Sequence, residues 1–253
     1  MRQNIRYFLG HLLNDIGVFL QKISRNMIRP IYPELKNETY FNDLCFLHRK
    51  IQINLNNQKK LYPHYIYEQG YLYQGFHSLG IFGVRSTERR YYLYNLDNLI
   101  HESDTILDIG CNCGFMLIYA SYRKGCSGDG IDINPFMINI GRAVTDFLEL
   151  SHKIRLFQDS FLLFQPTKKY SVIFSFAAYW TDDGLLRPDF DLYMRKMHEL
   201  LYDGGIIIFE THSNDANNPE FHKKMENFRD IFSFDKGILL DNNERELFFL
   251  KKI

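Results

Sequence analysis

An apolar run, Thr105-Ile-Leu-Asp108-Ile, opens onto Gly110-Cys111-Asn112-Cys113-Gly114, and a helical pattern begins at once with Phe115-Met116. A strand that ends on such a turn lets a ligand approach the backbone, because side chains there are small or missing. The helix that follows offers free N–H groups to a negatively charged ligand group. The next apolar run, Gly128-Asp-Gly-Ile-Asp132-Ile133-Asn-Pro135, sets a carboxylate at its end, 22 residues after Gly110. A carboxylate at that point accepts both hydroxyls of a ribose. Its plainer use is as a helix cap ahead of Pro135. A dinucleotide-type G-x-G-x-x-G needs glycine at 110, 112 and 115, and Asn112 and Phe115 break it.

The elements that must position these residues follow from hydrophobic spacing. From residue 104 onward, short apolar runs alternate with helical ones. Strands are expected at Thr105–Ile109, Gly128–Ile133, Ile154–Gln158, Tyr170–Phe176 and Gly205–Glu210. Helices are expected at Met116–Arg123, Pro135–Leu150, Phe190–Leu201 and Pro219–Phe232. Gly237–Leu240 and Glu246–Lys251 close the chain as a hairpin around Asp241-Asn-Asn-Glu244. Buried strands joined by helices give an α/β fold with a mostly parallel, doubly wound sheet. Seven strands are expected, the last two forming the antiparallel C-terminal hairpin.

The first 100 residues read differently. Ile5, Phe8, Leu9, Leu12, Leu13, Ile16, Phe19, Leu20 and Ile23 form a helical apolar stripe, flanked by Arg2, Arg6, Lys22 and Arg25. The stripe suits packing on the body of the protein or on a second copy of the chain, and less well a membrane surface. A further helix is expected near Tyr40–Gln52. The division is therefore a helical N-terminal cap or lid over 1–100 and an α/β domain over 101–253.

Charge balances overall, with 30 basic and 30 acidic residues. Residues 1–60 nevertheless hold ten Lys/Arg against four Asp/Glu, and residues 101–253 hold seventeen against twenty-three. The whole-chain balance makes no general case for nucleic-acid binding, although the basic first quarter could meet an anionic partner. Cys111 and Cys113 are spaced too closely for a zinc knuckle and no Cys or His pair elsewhere is suitably placed, so no metal is expected. The four cysteines read as reduced thiols of a cytoplasmic protein. Asn4, His11, Asn14 and Asp15 exclude a transmembrane span at the start and argue against a signal peptide.

Leu107-Asp-Ile-Gly-Cys-Asn-Cys-Gly114 resembles the first motif of class I S-adenosylmethionine (SAM)-dependent methyltransferases, and Gly130-Ile-Asp132 resembles their acidic second motif. Gln158-Asp159-Ser160-Phe161 is similar to the third-strand end that holds the adenine, and Leu201-Tyr-Asp-Gly204-Gly205 to the turn before the fifth strand. The terminal hairpin resembles the family's sixth and seventh strands. The likeness covers about 150 residues. Asn112 stands where the family usually has a glycine, and Asn tolerates left-handed backbone. Ser171 replaces an acid common before the fourth strand.

The resemblance implies SAM as cofactor and S-adenosylhomocysteine as product. It places Gly110, Cys111, Asn112 and Gly114 around the methionine moiety, with Asp108 bracing the loop. Asp132, with Ile133 beside it, would hold the ribose. Asp159 and Ser160 would meet the adenine with Phe161 against its ring, Asp159 being otherwise a plain turn residue. Phe176 and Ala177 would line the methyl side. A hydroxyl acceptor also needs a base. His212 suits that role, since its ordinary pKa lies nearest neutrality, unless it is a surface histidine. Glu210 would orient His212 or hold a substrate hydroxyl, and Tyr179 lies in the same region. Trp180 would stack on the acceptor or serve as core.

Gly83-Val-Arg85-Ser-Thr-Glu88-Arg89 resembles a lead-in of bacterial surface-glycan methyltransferases and, more distantly, of a tRNA wobble-uridine modifying enzyme. Arg85 or Arg89 would clamp a carboxylate or phosphate, or else pair with surface acids, and His77 is a second candidate base. The expected activity is O-methylation of a small polar or sugar-linked acceptor in surface (capsular) polysaccharide biosynthesis. The competing readings are a tRNA methyltransferase using the basic 1–60 segment, a catalytically inactive partner subunit of the same fold and, least favoured, an NAD-dependent enzyme.

Overall fold

The structure, a computed structural model, describes residues 38–61, 72–180, 189–212, 215–240 and 244–253. The apolar stripe expected over residues 5–23 and the turn residues Asp241–Asn243 lie outside them. The chain divides into two compact units, Met1–Ser86 and Thr87–Ile253. The break falls at 86/87 rather than at 100/101, because the helix Thr87–Leu93 packs on the α/β unit.

In the first unit, helix α1 (Glu38–Leu61) extends well beyond the expected Tyr40–Gln52. Two short strands, β1 (Leu72–Gly75) and β2 (Gly83–Ser86), pair in parallel across the loop 76–82. This part of the chain therefore carries two short strands besides its helix. Their signal was glycine: a Cβ on Gly75 would stand 2.7 Å from the Gly83 nitrogen, and one on Gly83 would run into Gln74. Only bare backbone permits so close an approach.

The second unit opens with helices α2 (Thr87–Leu93) and α3 (Leu96–Leu99). It continues with β3 (Thr105–Ile109), α4 (Phe115–Lys124), β4 (Ser127–Asp132), α5 (Pro135–Phe147) and β5 (Ile154–Gln158). Then come β6 (Tyr170–Phe176), α6 (Phe190–Leu200), β7 (Leu201–Glu210), α7 (Pro219–Glu226), β8 (Phe232–Ser233), β9 (Ile238–Leu240) and β10 (Arg245–Lys252). The sheet order is β5-β4-β3-β6-β7-β10-β8, parallel from β5 to β7, with β10 antiparallel to β7. The sheet has eight strands rather than seven because the edge strand is broken: β8 and β9 both pair with the same side of β10. Between them lies Gly237, where a Cβ would collide with Glu246.

Successive strand residues face opposite sides of the sheet. Leu107, Ile109, Ile131, Ile173, Ile207 and Phe209 join one core with Phe190, Tyr193, Met194 and Met197 of α6 and Phe221 and Met225 of α7. The other face meets α4 and α5 through Gly128 and Leu156, which pack against Leu117 and Gly141. The helix starts are chemically marked. Asn134 caps α5 by accepting N–H bonds from Phe136 (3.0 Å) and Met137 (3.4 Å), with Pro135 in the first turn. Asp189 caps α6 in the same way. Ser171, where the family commonly has an acid, donates to Asp104 Oδ1 at 2.7 Å and accepts the Thr105 N–H at 3.0 Å, tying β6 to the entry of β3. No helix among the described residues is long and apolar enough to cross a membrane.

Gly141 shows how tightly α5 sits on the turn after β3, since a Cβ there would strike the Cys113 carbonyl and the Leu156 side chain. Alanine is the better helix former by about 1 kcal/mol, but overpacking against backbone costs about 1–3 kcal/mol. Gly141→Ala is therefore expected to lower Tm by roughly 5 °C in a thermal melt; an unchanged or higher Tm would show that the helix can shift away.

Candidate active site

The strand order reverses between β3 and β6, so the carboxyl ends of these two strands frame a crevice. Gly110, Asn112 and Gly114 all adopt left-handed backbone, with φ of 60°, 55° and 67°. Three such residues within five wind the chain into a tight loop. A Cβ on Gly110 would stand 2.7 Å from Ala178 Cβ, so the turns after β3 and β6 meet at this glycine. Ala177 is also left-handed, with φ of 58°, and donates its N–H to the Glu210 carbonyl at 3.0 Å. A non-glycine residue held there is a strained position fixed by its surroundings.

The loop is locked from the neighbouring strand. The Asn112 N–H donates to Asp132 Oδ2 at 2.7 Å, and the Asn134 N–H donates to Oδ1 at 2.9 Å. The Cys111 N–H reaches the Ile131 carbonyl at 2.9 Å, and the Asp159 N–H reaches the Asp132 carbonyl at 3.0 Å. The ends of β3, β4 and β5 are thus knotted around Asp132, with Ile133 half-buried beside it. The helix cap ahead of Pro135 is Asn134, which leaves Asp132 free of that duty. Each of its oxygens keeps a second lone pair for a ligand hydroxyl. Burial raises the Asp132 pKa against the pull of its two N–H donors.

Asp108 lies one strand over, 2% exposed, and its Oδ2 meets no hydrogen-bond partner among the described residues. Burial pushes its pKa up to about 8; Asp132 adds to the rise, while Arg90 and the Leu117 N–H at the start of α4 oppose it. Gly114 precedes α4 without any side-chain cap, leaving that helix start open to a negative group. Burial pushes the Cys111 thiol well above its ordinary value and keeps it neutral.

At β5, Asp159 Oδ1 accepts the Ser160 N–H at 2.8 Å, which is turn chemistry, with both residues half-buried. Phe161 packs edge-on to Tyr193 at 4.9 Å, with Lys196 Nζ 5.1 Å from its ring centre. Phe176 sits against Tyr94 at 5.4 Å. Tyr179 and Trp180 touch each other at 5.0 Å and belong to an aromatic cluster in which Trp180 meets Phe209 and Phe221. Both are half-buried, so Trp180 is partly core.

Glu210 is 1% exposed, and its Oε2 takes a 2.6 Å ion pair from Arg90 while Arg245 stands 3.9 Å from Oε1. Glu210 is thus committed to a buried ion pair at the carboxyl end of β7. His212 is half-buried, and its carbonyl accepts the Asp215 and Ala216 N–H groups. The buried arginine of α2 is Arg90. Arg89 lies exposed on α2, whereas Arg90 is 7% exposed, donates to the Tyr94 hydroxyl at 3.1 Å and lies 5.3 Å from the rings of both Tyr94 and Phe176. Its signal was available: Thr87, Arg90, Tyr91 and Tyr94 recur at helical spacing on one face. Arg85 and His77 belong to the first unit, where Arg85 is half-buried in β2 and the exposed His77 stands 5.3 Å from Phe82. Among the described residues no group of three His, Cys, Asp or Glu could hold a metal ion.

Residues 100–248 match the sequence model of a family described as "Methyltransferase domain". No curated protein matches the chain. Among solved structures, the N-methyltransferase NodS from Bradyrhizobium japonicum WM9, in complex with S-adenosyl-l-homocysteine, is 15% identical, with 65% of this chain and 86% of that one aligned at a TM-score of 0.50. The MccD protein is 11% identical, with 66% and 97% aligned at 0.50. YjhP from E. coli is 19% identical, with 51% of each chain aligned at 0.44, so this chain spans about half the length of that structure. At these identities the likeness is one of fold.

The raised pKa of Asp108 sets a pH dependence. Between the ordinary carboxyl value of 3.8 and about 8, the folded state keeps a proton that the unfolded chain has released. Stability therefore falls as pH rises through that window and levels off above it. Asp108→Asn removes the group, so its Tm advantage over the wild type should grow from acid to about pH 8 and then stay constant. A Tm difference that does not vary with pH would place the proton elsewhere.

Proposed function

The chain belongs to the methyltransferase domain family, and on that premise we propose that it transfers the methyl group of SAM to a hydroxyl of a small polar or sugar-linked acceptor. The observation that carries the reading is the left-handed loop Gly110–Gly114 held to Asp132. The residues fit the cofactor's parts. The uncapped start of α4 suits the carboxylate of its methionine end, and the buried Asp108 Oδ2, lacking a partner among the described residues, suits the ammonium. Asp132 holds the ribose hydroxyls, with Ile133 beside them. Asp159, Ser160 and Phe161 take the adenine. Phe176 and Ala177 line the side from which the methyl leaves, and SAM supplies that methyl as a sulfonium substituent, becoming S-adenosylhomocysteine.

The chain's own contribution is orientation, because an in-line displacement gains most from holding two reactants at the right angle and distance. Arg90, gripped by Glu210 and lying by Phe176, stiffens the floor of the crevice. Tyr179 and Trp180 present aromatic surface at the same edge, which suits the apolar face of a sugar-like acceptor. The acceptor class proposed is one used in bacterial surface (capsular) polysaccharide assembly, supported by the Gly83–Arg89 lead-in.

Removing the Asp132 carboxylate forfeits two charge-assisted hydrogen bonds, each worth about 1.5–3 kcal/mol. Asp132→Ala is expected to weaken S-adenosylhomocysteine binding at least about a hundredfold by titration calorimetry. Unchanged affinity in a folded variant would sink the reading of the loop. The acceptor is found by incubating the protein with methyl-labelled SAM and glycan and metabolite extracts, and looking by mass spectrometry for a product heavier by one CH₂.

A further inference from the structure

We propose that His222, oriented by Glu246, is the base that takes the acceptor's proton; this rests on the methyltransferase reading above. Glu246 is 3% exposed at the start of β10, and its Oε2 accepts both His222 Nε2 at 2.7 Å and the Asn217 N–H at 3.0 Å. The His222 side chain on α7 is 40% exposed. A carboxylate only accepts, so Nε2 donates to it, and Nδ1 is the nitrogen left to take a proton. A carboxylate behind an imidazole fixes its tautomer and steadies the imidazolium once a proton arrives.

The pair stands at the working edge of the sheet. The Thr211 N–H donates to the Glu246 carbonyl at 2.9 Å, and the Glu246 N–H donates to Thr211 Oγ1 at 3.0 Å. Thr211 follows Glu210, whose carbonyl takes the Ala177 N–H. Phe221, next to His222, packs on Trp180 at 5.7 Å. β10 lies two strands from β6, about 10 Å along the edge, and an acceptor hydroxyl would reach His222 across that distance through a relay water. In the step itself, the acceptor oxygen bonds to the methyl carbon, the carbon–sulfur bond breaks with its electron pair left on sulfur, and the hydroxyl proton passes to His222 Nδ1. Glu246 acts only through the ring and is a positioning residue.

The test uses the full chain, methyl-labelled SAM and the same extracts. His222→Ala should slow label transfer about a hundredfold, keep S-adenosylhomocysteine affinity within about twofold, and recover rate when free imidazole is added. Ring-nitrogen NMR should show the Nε2–H tautomer at His222, and Glu246→Gln should turn it into a mixture. An active wild type with an equally active His222→Ala overturns the dyad alone, as does an Nδ1–H tautomer in the wild type. A wild type that binds S-adenosylhomocysteine yet labels nothing overturns the methyltransferase reading, and the dyad falls with it.

Discussion

Two backbone N–H groups converging on Asp132 hold the rest of the site in place. The Asn112 N–H comes from the loop after β3 and the Asn134 N–H from the start of α5, and both end on one carboxylate. Left-handed backbone at Gly110, Asn112 and Gly114 is costly for the asparagine and free only for the glycines. A charge-assisted bond to a partly buried carboxylate returns more than that cost. The loop is therefore set before any ligand arrives, and ligand binding need not supply the ordering entropy. The same carboxylate keeps lone pairs to spare, so the group that builds the loop can also grip what the loop receives.

A second constraint works from the opposite side of the crevice. Arg90 and Glu210 form a buried ion pair, and burial of two charges costs several kcal/mol per ion, so the pair adds little net stability. What it adds is register. It fastens α2 to the carboxyl end of β7 and stations Phe176 and Tyr94 beside a flat cation. The strained Ala177 follows directly, bonded to the same Glu210. A site floor made of one ion pair and two rings resists displacement in a way that an apolar contact of equal area does not.

The central strands were readable because each combines a short apolar run with a chemical stop. Thr105–Ile109 and Tyr170–Phe176 occupy the expected residues, since two-sided burial leaves no other use for such runs, and the edge strand Ile154–Gln158 does so too, with Ile154 and Leu156 buried and Arg155 exposed. The turn after β3 and the acid ending β4 were readable for a related reason: loop, helix start and acid are local features carried on two adjacent strand ends. Helix ends and the C-terminal edge were less readable. The helix from Pro219 stops at Glu226 rather than at Phe232, because Phe232 is claimed by β10 as a ladder partner, a long-range choice that local periodicity does not contain. Likewise Leu201–Gly204 read as a turn, yet β7 begins at Leu201, where Tyr170 of β6 offers a pairing partner.

The Arg90–Glu210 and His222–Glu246 contacts resisted reading because each joins residues far apart in sequence. Glu210 and His212 read as partners because only Thr211 separates them, while the contact of Glu210 with Arg90, 120 residues away, carries no local signal. His222 and Glu246 carry no mutual signal, as one lies on a helix and the other opens the antiparallel strand that closes the sheet. Their meeting depends on the broken edge strand. Gly237, between β8 and β9, is small enough to let the chain wrap the Glu246 carboxylate, and a Cβ there would occupy its place. A continuous edge strand would have run past that point, with side chains standing where the carboxylate now sits. The interruption that made the edge hard to read is thus what makes room for the acid behind the imidazole.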